Sequence, residues 1–153
     1  MGKINMTRVL LSGLVAGVVI NAFEGLANGV LFEADWVAAM TALGKATAFS
    51  VKQIVFFNVA GFAFGMLMML AYAAMRPRLG AGANTAMCAG ALVWTLGIAI
   101  PNSFNSIMHL FPLALMLKLT AVGLVEMLAA GVAGAYFYKE EAAPQSMSAA
   151  SGR

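Results

Sequence analysis

Four long apolar stretches constrain this chain more than any other feature of its sequence. Each has about 20 residues or more, the length of an α-helix that crosses the hydrocarbon layer of a bilayer. They lie at approximately residues 9–32, 53–75, 86–106 and 113–138. Charged residues make up only 10% of the chain, against about 25% in a soluble domain. The sequence therefore predicts an all-α integral membrane protein, a bundle of four transmembrane helices.

The four stretches lie close together along the chain, and we expect residues 1–140 to form a single four-span domain. The polar sequence of residues 141–153, EAAPQSMSAASGR, is predicted to be a disordered tail. The first stretch is too long for a cleavable signal peptide and is interrupted by Glu24, so we expect it to remain as a helix. Cys88 is the single cysteine, which excludes an intramolecular disulfide.

The distribution of basic residues predicts the orientation of the bundle. One end carries six of them and the other end three, and by the positive-inside rule the richer end faces the cytoplasm. Both termini are therefore expected to be cytoplasmic. The net charge is only +3 and its basic residues are scattered, so no nucleic-acid partner is expected. The six are Lys3, Arg8, Arg76, Arg78, Lys139 and Arg153, and the three are Lys45, Lys52 and Lys118.

The connection between the first two spans contains the sequence EADWVAAMTALGK, residues 33–45. Asp35 is a possible N-cap, Trp36 is suited to the membrane interface, and Gly44 is a stop signal. These features predict a short helix lying on the outer surface of the membrane. A soluble loop is the alternative.

Polar residues in the first span fall on one side of its helix. The sequence NAFEGLANG covers residues 21–29, and at 100° per residue Gly17, Asn21, Glu24 and Asn28 lie within about 60° of one another. Such a face is directed to protein or water and away from lipid. Two other spans show comparable faces, with Asn58, Gly61, Gly65 and Tyr72 in the second and Gly123, Glu126, Ala130 and Ala133 in the fourth.

The two intramembrane acids are predicted to lie at a similar depth. Helical rise places Glu24 and Glu126 roughly 10–12 Å inside the outer boundary. Burial and a second nearby acid both disfavour the charged form of a carboxyl group, so we expect at least one of the two to be protonated at neutral pH. Asn58 enters from the same side, and the third helix leaves the membrane there near Pro101. The sequence thus predicts a polar pocket in the outer half of the bundle.

The candidate binding residues are the polar side chains that converge on this half. Intramembrane acids are functional candidates by default. The asparagines could equally form hydrogen bonds that pack the helices, and the single histidine could be an ordinary boundary residue. The candidates are Asn21, Glu24, Asn28, Asn58, Asn102, Asn105, His109 and Glu126.

The sequence contains none of the common catalytic or cofactor signatures. It has no GxSxG, no HExxH, no GxxxxGK[ST] and no CxxC motif. Glu24, Glu126 and His109 come from different helices, and no spacing supports a metal site. We therefore expect no enzymatic activity, no cofactor and no bound metal.

Three motifs in combination resemble those of a group of small bacterial inner-membrane proteins with four helices. They are NAFEGLANG, the following DWVAAMTALG, and MRPRLGAGANTA after the second span. The resemblance extends over roughly residues 4–140. It implies the four-helix fold and a multi-pass location in the bacterial inner membrane, but no chemistry, because no activity is assigned to that group.

Two functions from different classes remain open. In the first, the pocket binds or transports a small solute, a cation or a proton, with Glu24 and Glu126 as protonatable groups. A transporter of four helices encloses little volume, so we expect it to be a homodimer. In the second, the protein is a non-catalytic accessory or assembly subunit of a larger membrane complex, and its glycine-rich faces contact a partner. Apart from the lipid bilayer, a homodimer or such a complex is the expected partner.

Overall fold

A computed structural model describes residues 4–139 of the chain. The predicted disordered tail and the basic residues Lys3 and Arg153 lie outside this range. The described part is all α-helical. Its elements are α1 (Met6–Leu26) with a π-helical turn at Ala27–Leu31, α2 (Glu33–Ala42), α3 (Val51–Leu79), α4 (Ala83–Trp94) with a π-helical turn at Thr95–Ala99, α5 (Ile100–Ile107) and α6 (Leu113–Phe137).

Four continuous helical segments are long and apolar enough to cross a membrane, which confirms the predicted class. They are Met6–Leu31, Val51–Leu79, Ala83–Ile107 and Leu113–Phe137. Large apolar side chains are exposed along all four, including Val18, Phe56, Leu96 and Val125. In water this exposure would oppose folding, whereas in a bilayer these side chains contact lipid.

The second span is longer than predicted. The predicted span ends at residue 75, just before Arg76–Pro77–Arg78. Helix α3 continues through Pro77 and ends at Leu79, and the next residue, Gly80, has a φ of +84°. Pro77 lacks the N–H that would bond to Ala73 O, but only Arg78 and Leu79 of α3 follow it, so a local kink displaces little of the helix. The two arginines complement the negative end of the helix dipole.

The short helix between the first two spans is present as α2, but the prediction that Asp35 caps it was wrong. The π-helical turn of the first span runs directly into α2 through Phe32, whose N–H bonds to Ala27 O. Asp35 consequently lies in the first turn of the helix, where a negative charge is favourable. The helix stops as predicted at Gly44, which has a φ of +64°.

The π-helical turn in the third span follows from the position of Pro101. Proline has no N–H, so the carbonyl of Gly97 cannot receive its usual hydrogen bond from residue 101. Just before it, the Ile100 N–H bonds to Thr95 O, five residues back, which is the hydrogen bond of a π-helix. The span remains continuous, with a wider turn in its middle.

The packed core occupies the half of the bundle nearest the described ends of the chain. Small and flexible side chains fill it, because helices approach closely where side chains are small and methionine adapts to irregular gaps. A smaller cluster lies at the opposite end, where Ala39 of α2 packs on Leu115 and Met116 of α6. The main core includes Ala16, Ile20, Met68, Met69, Ala73, Ala86, Ala89, Met127 and Ala130.

Glycines bring the backbones of α1 and α3 into direct contact. A Cβ atom added at Gly65 would collide with Gly13 O and lie 2.5 Å from Gly17 N. Neither neighbour can yield, because both are backbone atoms. The paired spacings of Gly13 with Gly17 and of Gly61 with Gly65 therefore form a helix crossing of the small-xxx-small type.

We predict that Gly65→Ala destabilises the protein by about 2 kcal/mol, because overpacking a close contact costs about 1–3 kcal/mol. The free energy of unfolding would be measured by denaturant titration of the protein in detergent micelles. Gly25→Ala is the matched control, since an added Cβ there meets nothing within 4 Å. Equal free energies of unfolding for the two variants would contradict the close contact of α1 and α3 at Gly65.

Candidate functional site

A cavity of about 750 Å³ lies in the half of the bundle that the main core leaves open. Its walls come from α1, α3, the π-helical turn of the third span, α5 and α6, with α2 and the connections at one side. This volume lies within the range of small-molecule sites, about 300–1,000 Å³. Seven of the eight candidate residues line it: Asn21, Glu24, Asn28, Asn58, Asn102, Asn105 and Glu126.

The eighth candidate, His109, lies elsewhere. It belongs to the turn between α5 and α6, where its φ is +54° and its N–H bonds to Ser106 O. Its side chain is exposed and lines a second, smaller depression beside Leu43 and Leu113. Helix α5 ends at Ile107, so His109 no longer follows the helical face that carries Asn102 and Asn105.

Glu126 is the most deeply buried polar group of the cavity, with only 1% of its surface exposed. Helix α6 places it between the buried residues Gly123 and Met127. Within residues 4–139, its Oε1 atom is buried and has no hydrogen-bond partner. A buried carboxyl oxygen without a donor costs free energy, so it calls for a physical explanation.

Glu24 lies at the accessible side of the same cavity and its side chain is exposed. Both acids line this cavity, Glu126 as a buried residue and Glu24 as an exposed one. The cavity therefore presents two carboxyl groups that differ in exposure.

Asn28 joins Glu24 to the helix that covers the cavity. Its Nδ2 donates a hydrogen bond to Glu24 Oε2, and its Oδ1 accepts one from Trp36 Nε1 at 2.8 Å. The indole can only donate, which fixes the orientation of the amide. Trp36 in α2 is thereby connected to a carboxyl group of the first span.

The side chains of Asn21 and Asn102 also form hydrogen bonds between elements. Asn21 Nδ2 donates to Asn58 O at 3.2 Å, and Gly61 leaves room for it, because a Cβ there would lie 2.5 Å from Asn21 Oδ1. Asn102 Nδ2 donates to Thr120 Oγ1 of α6 at 3.0 Å. These contacts support the packing interpretation for Asn21 and Asn102, although both also line the cavity.

Four aromatic side chains that line the cavity form a chain of edge-to-face contacts, which we call the aromatic rim. The ring centroids of Trp36 and Phe111 are 5.5 Å apart, those of Trp36 and Phe49 are 6.2 Å apart, and those of Phe49 and Phe57 are 5.7 Å apart. All four residues line the cavity. The sequence indicates an interfacial position for Trp36 and Phe111 but no common cavity for the four rings, because Phe49 and Phe111 lie in connections that have no helical period.

Within the described residues, no Lys, Arg or His side chain lines the cavity. Lys118 does not line the cavity. Its Nζ lies 2.8 Å from Asp35 Oδ2 in an exposed ion pair at the edge of α2. In residues 4–139 no group of three His, Cys, Asp or Glu side chains is placed to hold a metal ion. The cavity thus combines two acids, several amides and aromatic rings.

Comparisons with known protein families, with curated proteins and with solved structures found no match. The resemblance drawn from the three sequence motifs therefore stays a prediction.

We predict that Asn28→Ala loosens α2, because it removes the partner of Trp36 Nε1 and a donor to Glu24. Amide hydrogen exchange across Glu33–Ala42, followed by mass spectrometry, should accelerate about 5-fold or more, as expected for the loss of about 1 kcal/mol. Lys118→Ala should change it less, since exposed ion pairs contribute little. Asn84→Ala, at the opposite end of the bundle, is the control. A larger effect from Lys118→Ala than from Asn28→Ala would show that the ion pair holds α2.

Proposed function

We propose that the protein binds a small cationic solute in this cavity and moves it across the membrane. The observation that carries the proposal is the buried Oε1 atom of Glu126, which has no hydrogen-bond partner in the described chain and belongs to a residue of the cavity wall. A bound cation would compensate this carboxyl group.

The composition of the cavity supports a positively charged ligand. Either acid repels an anion when it is ionised, and no basic side chain of the described residues lines the walls to neutralise it. Coulomb attraction is strongest where water is excluded. Glu126 therefore offers more binding free energy to a cation than an exposed acid such as Glu33 could.

The different exposures of Glu24 and Glu126 support movement of the ligand in two steps. A cation would first meet the accessible carboxyl of Glu24 and then exchange onto the buried carboxyl of Glu126. A proton that leaves either group can compensate the arriving charge, which makes coupling to protons part of the proposal. The π-helical turns at Ala27–Leu31 and Thr95–Ala99 adjoin the cavity, and such turns often mark functional sites.

The alternative function is an accessory or assembly subunit that presents its glycine-rich faces to a partner. Gly13, Gly17 and Gly65 are in contact with one another inside the chain, so these faces are already used. This favours solute binding. A cavity of about 750 Å³ in one chain also means that a binding site needs no second copy, and the homodimer stays a prediction.

We further propose that the protein lies in a bacterial inner membrane with both termini in the cytoplasm. Arg8, Arg76 and Arg78 lie at one end of the bundle, and Lys45, Lys52 and Lys118 at the other. Together with Lys3, Lys139 and Arg153 of the sequence, this six-to-three bias supports the orientation. The cavity would then open toward the outer surface.

We expect a cation to raise the thermal midpoint of the purified protein in a Glu126-dependent way, because a ligand that binds only the folded state stabilises it. The midpoint would be measured at constant ionic strength with a series of inorganic and organic cations. Glu126→Gln should abolish the shift and Glu24→Gln should reduce it.

Glu33→Gln serves as the control, since Glu33 is an exposed acid that does not line the cavity. If every cation stabilises wild type and Glu126→Gln equally, the binding proposal is wrong. Flux of the stabilising cation into proteoliposomes then tests transport. Binding without flux would separate a binding protein from a transporter.

The orientation gives a separate prediction, tested with single cysteines in a Cys88→Ala background. Ala46→Cys, between α2 and α3, should react with a membrane-impermeant maleimide added to intact cells. Ala81→Cys, between α3 and α4, should react only after the membrane is permeabilised. Both positions are exposed loop alanines, so the pair is matched. The reverse pattern would place the termini outside.

A further inference from the structure

We infer that the cation bound in the cavity is an organic ammonium ion with apolar substituents. This inference rests on the proposed function, because it specifies the class of cation that Glu24 and Glu126 would compensate. It is carried by the aromatic rim together with the unpartnered carboxyl oxygen of Glu126.

The oxygen atoms of the cavity do not form a site for a metal ion. Hard cations such as Ca²⁺ require about six to eight oxygen ligands close together. Asn28 Oδ1 already accepts a hydrogen bond from Trp36, and Asn58 O accepts one from Asn21. No three His, Cys, Asp or Glu side chains of residues 4–139 come together as metal ligands. Among these residues, the cavity therefore offers a dehydrated metal ion two acids and no cluster of three such ligands.

The size of the cavity also favours an organic ion. About 750 Å³ far exceeds a single water-sized site, which has roughly 30 Å³ of liquid volume. A bare inorganic ion or a proton would leave most of this space to water among apolar side chains. An ion with hydrocarbon groups fills the space and removes apolar surface from water.

Besides the carboxyl group of Glu126, the aromatic rim can bind an organic cation. The face of an aromatic ring is negative, and it attracts ammonium groups most strongly where water is excluded. Phe57 of α3 and Phe111 before α6 line the cavity with Trp36 and Phe49, from four different segments of the chain. In a quaternary ammonium ion the positive charge is spread over the groups attached to nitrogen. Such an ion can contact rings and a carboxylate at once.

The rim also lies beside the amide that holds Glu24. Trp36 belongs to the rim and donates its indole N–H to Asn28, which donates to Glu24. Asn28 therefore holds the Trp36 ring and the Glu24 carboxyl group next to each other, so that an organic cation at this place can contact both. A neutral ligand of the same shape would leave Glu126 uncompensated and would bind less tightly.

The test uses the full chain in lipid nanodiscs, with benzyltrimethylammonium as the probe and its neutral carbon analogue, neopentylbenzene, as the matched compound. Binding would be measured by equilibrium dialysis of the radiolabelled compounds at constant ionic strength. We expect the cation to bind at least 10-fold more tightly than its analogue. Glu126→Gln should weaken the cation at least 10-fold and leave the analogue nearly unchanged.

Phe57→Leu tests the rim, because it removes a ring and keeps an apolar side chain. It should weaken binding of the cation about 3- to 10-fold, the range expected for a partly exposed cation–π contact, with little effect on neopentylbenzene. Phe104→Leu is the control, since Phe104 is 62% exposed and does not line the cavity. Size-exclusion chromatography and circular dichroism of each variant verify that it is folded.

Na⁺ and K⁺, tested in the same dialysis as radiolabelled ligands, separate the two proposals. If either ion binds in a Glu126-dependent way and benzyltrimethylammonium does not, the inference fails and cation binding stands. If the cation and its analogue bind equally and Glu126→Gln changes neither, the cavity is merely apolar and both proposals fail. Loss of cation binding in Phe104→Leu to the same extent as in Phe57→Leu would overturn the part assigned to the rim.

Discussion

The contact between the backbones of α1 and α3 determines how the rest of the bundle is arranged. Helices in lipid gain nothing from burying apolar side chains against one another, so close packing must hold them. Gly65 provides it by lying against Gly13 and Gly17. Two straight helices that cross closely diverge beyond the crossing. On one side the main core fills the space, and on the other side Glu24, Phe57 and Asn58 border a cavity.

The cavity contains an acid that the fold does not neutralise. Glu126 lies in a helix whose neighbouring positions are small or apolar, and no base of the described residues lines the same walls. A neutral residue at this position would pack the helices with less loss of stability, because a buried acid without a partner lowers the free energy of unfolding. The proposed cation would supply the partner that this carboxyl group lacks within the described residues.

Much of this arrangement could be predicted from the sequence, because helical period and length are strong constraints in a membrane. The common face of Asn21, Glu24 and Asn28 follows from 100° per residue, and the similar depth of Glu126 follows from helical rise. The connections are different, since no period fixes them. Asp35 was expected to cap α2 and instead pairs with Lys118. Phe49 and Phe111 reach the cavity only through tertiary packing, and His109 turns away in a left-handed conformation.

The order of the helices along the chain has a consequence for how the protein is made. The glycine contact joins the first two spans, so this hairpin can pack while the ribosome still synthesises the remainder. Glu126 lies in the last span, and the wall that it contributes is added only when α6 inserts. Until then Glu24 stands in an unfinished bundle with Asn28 as its partner within the same span. The acidic cavity and the α6 side of the main core are thus completed together, after the close-packed hairpin that supports them.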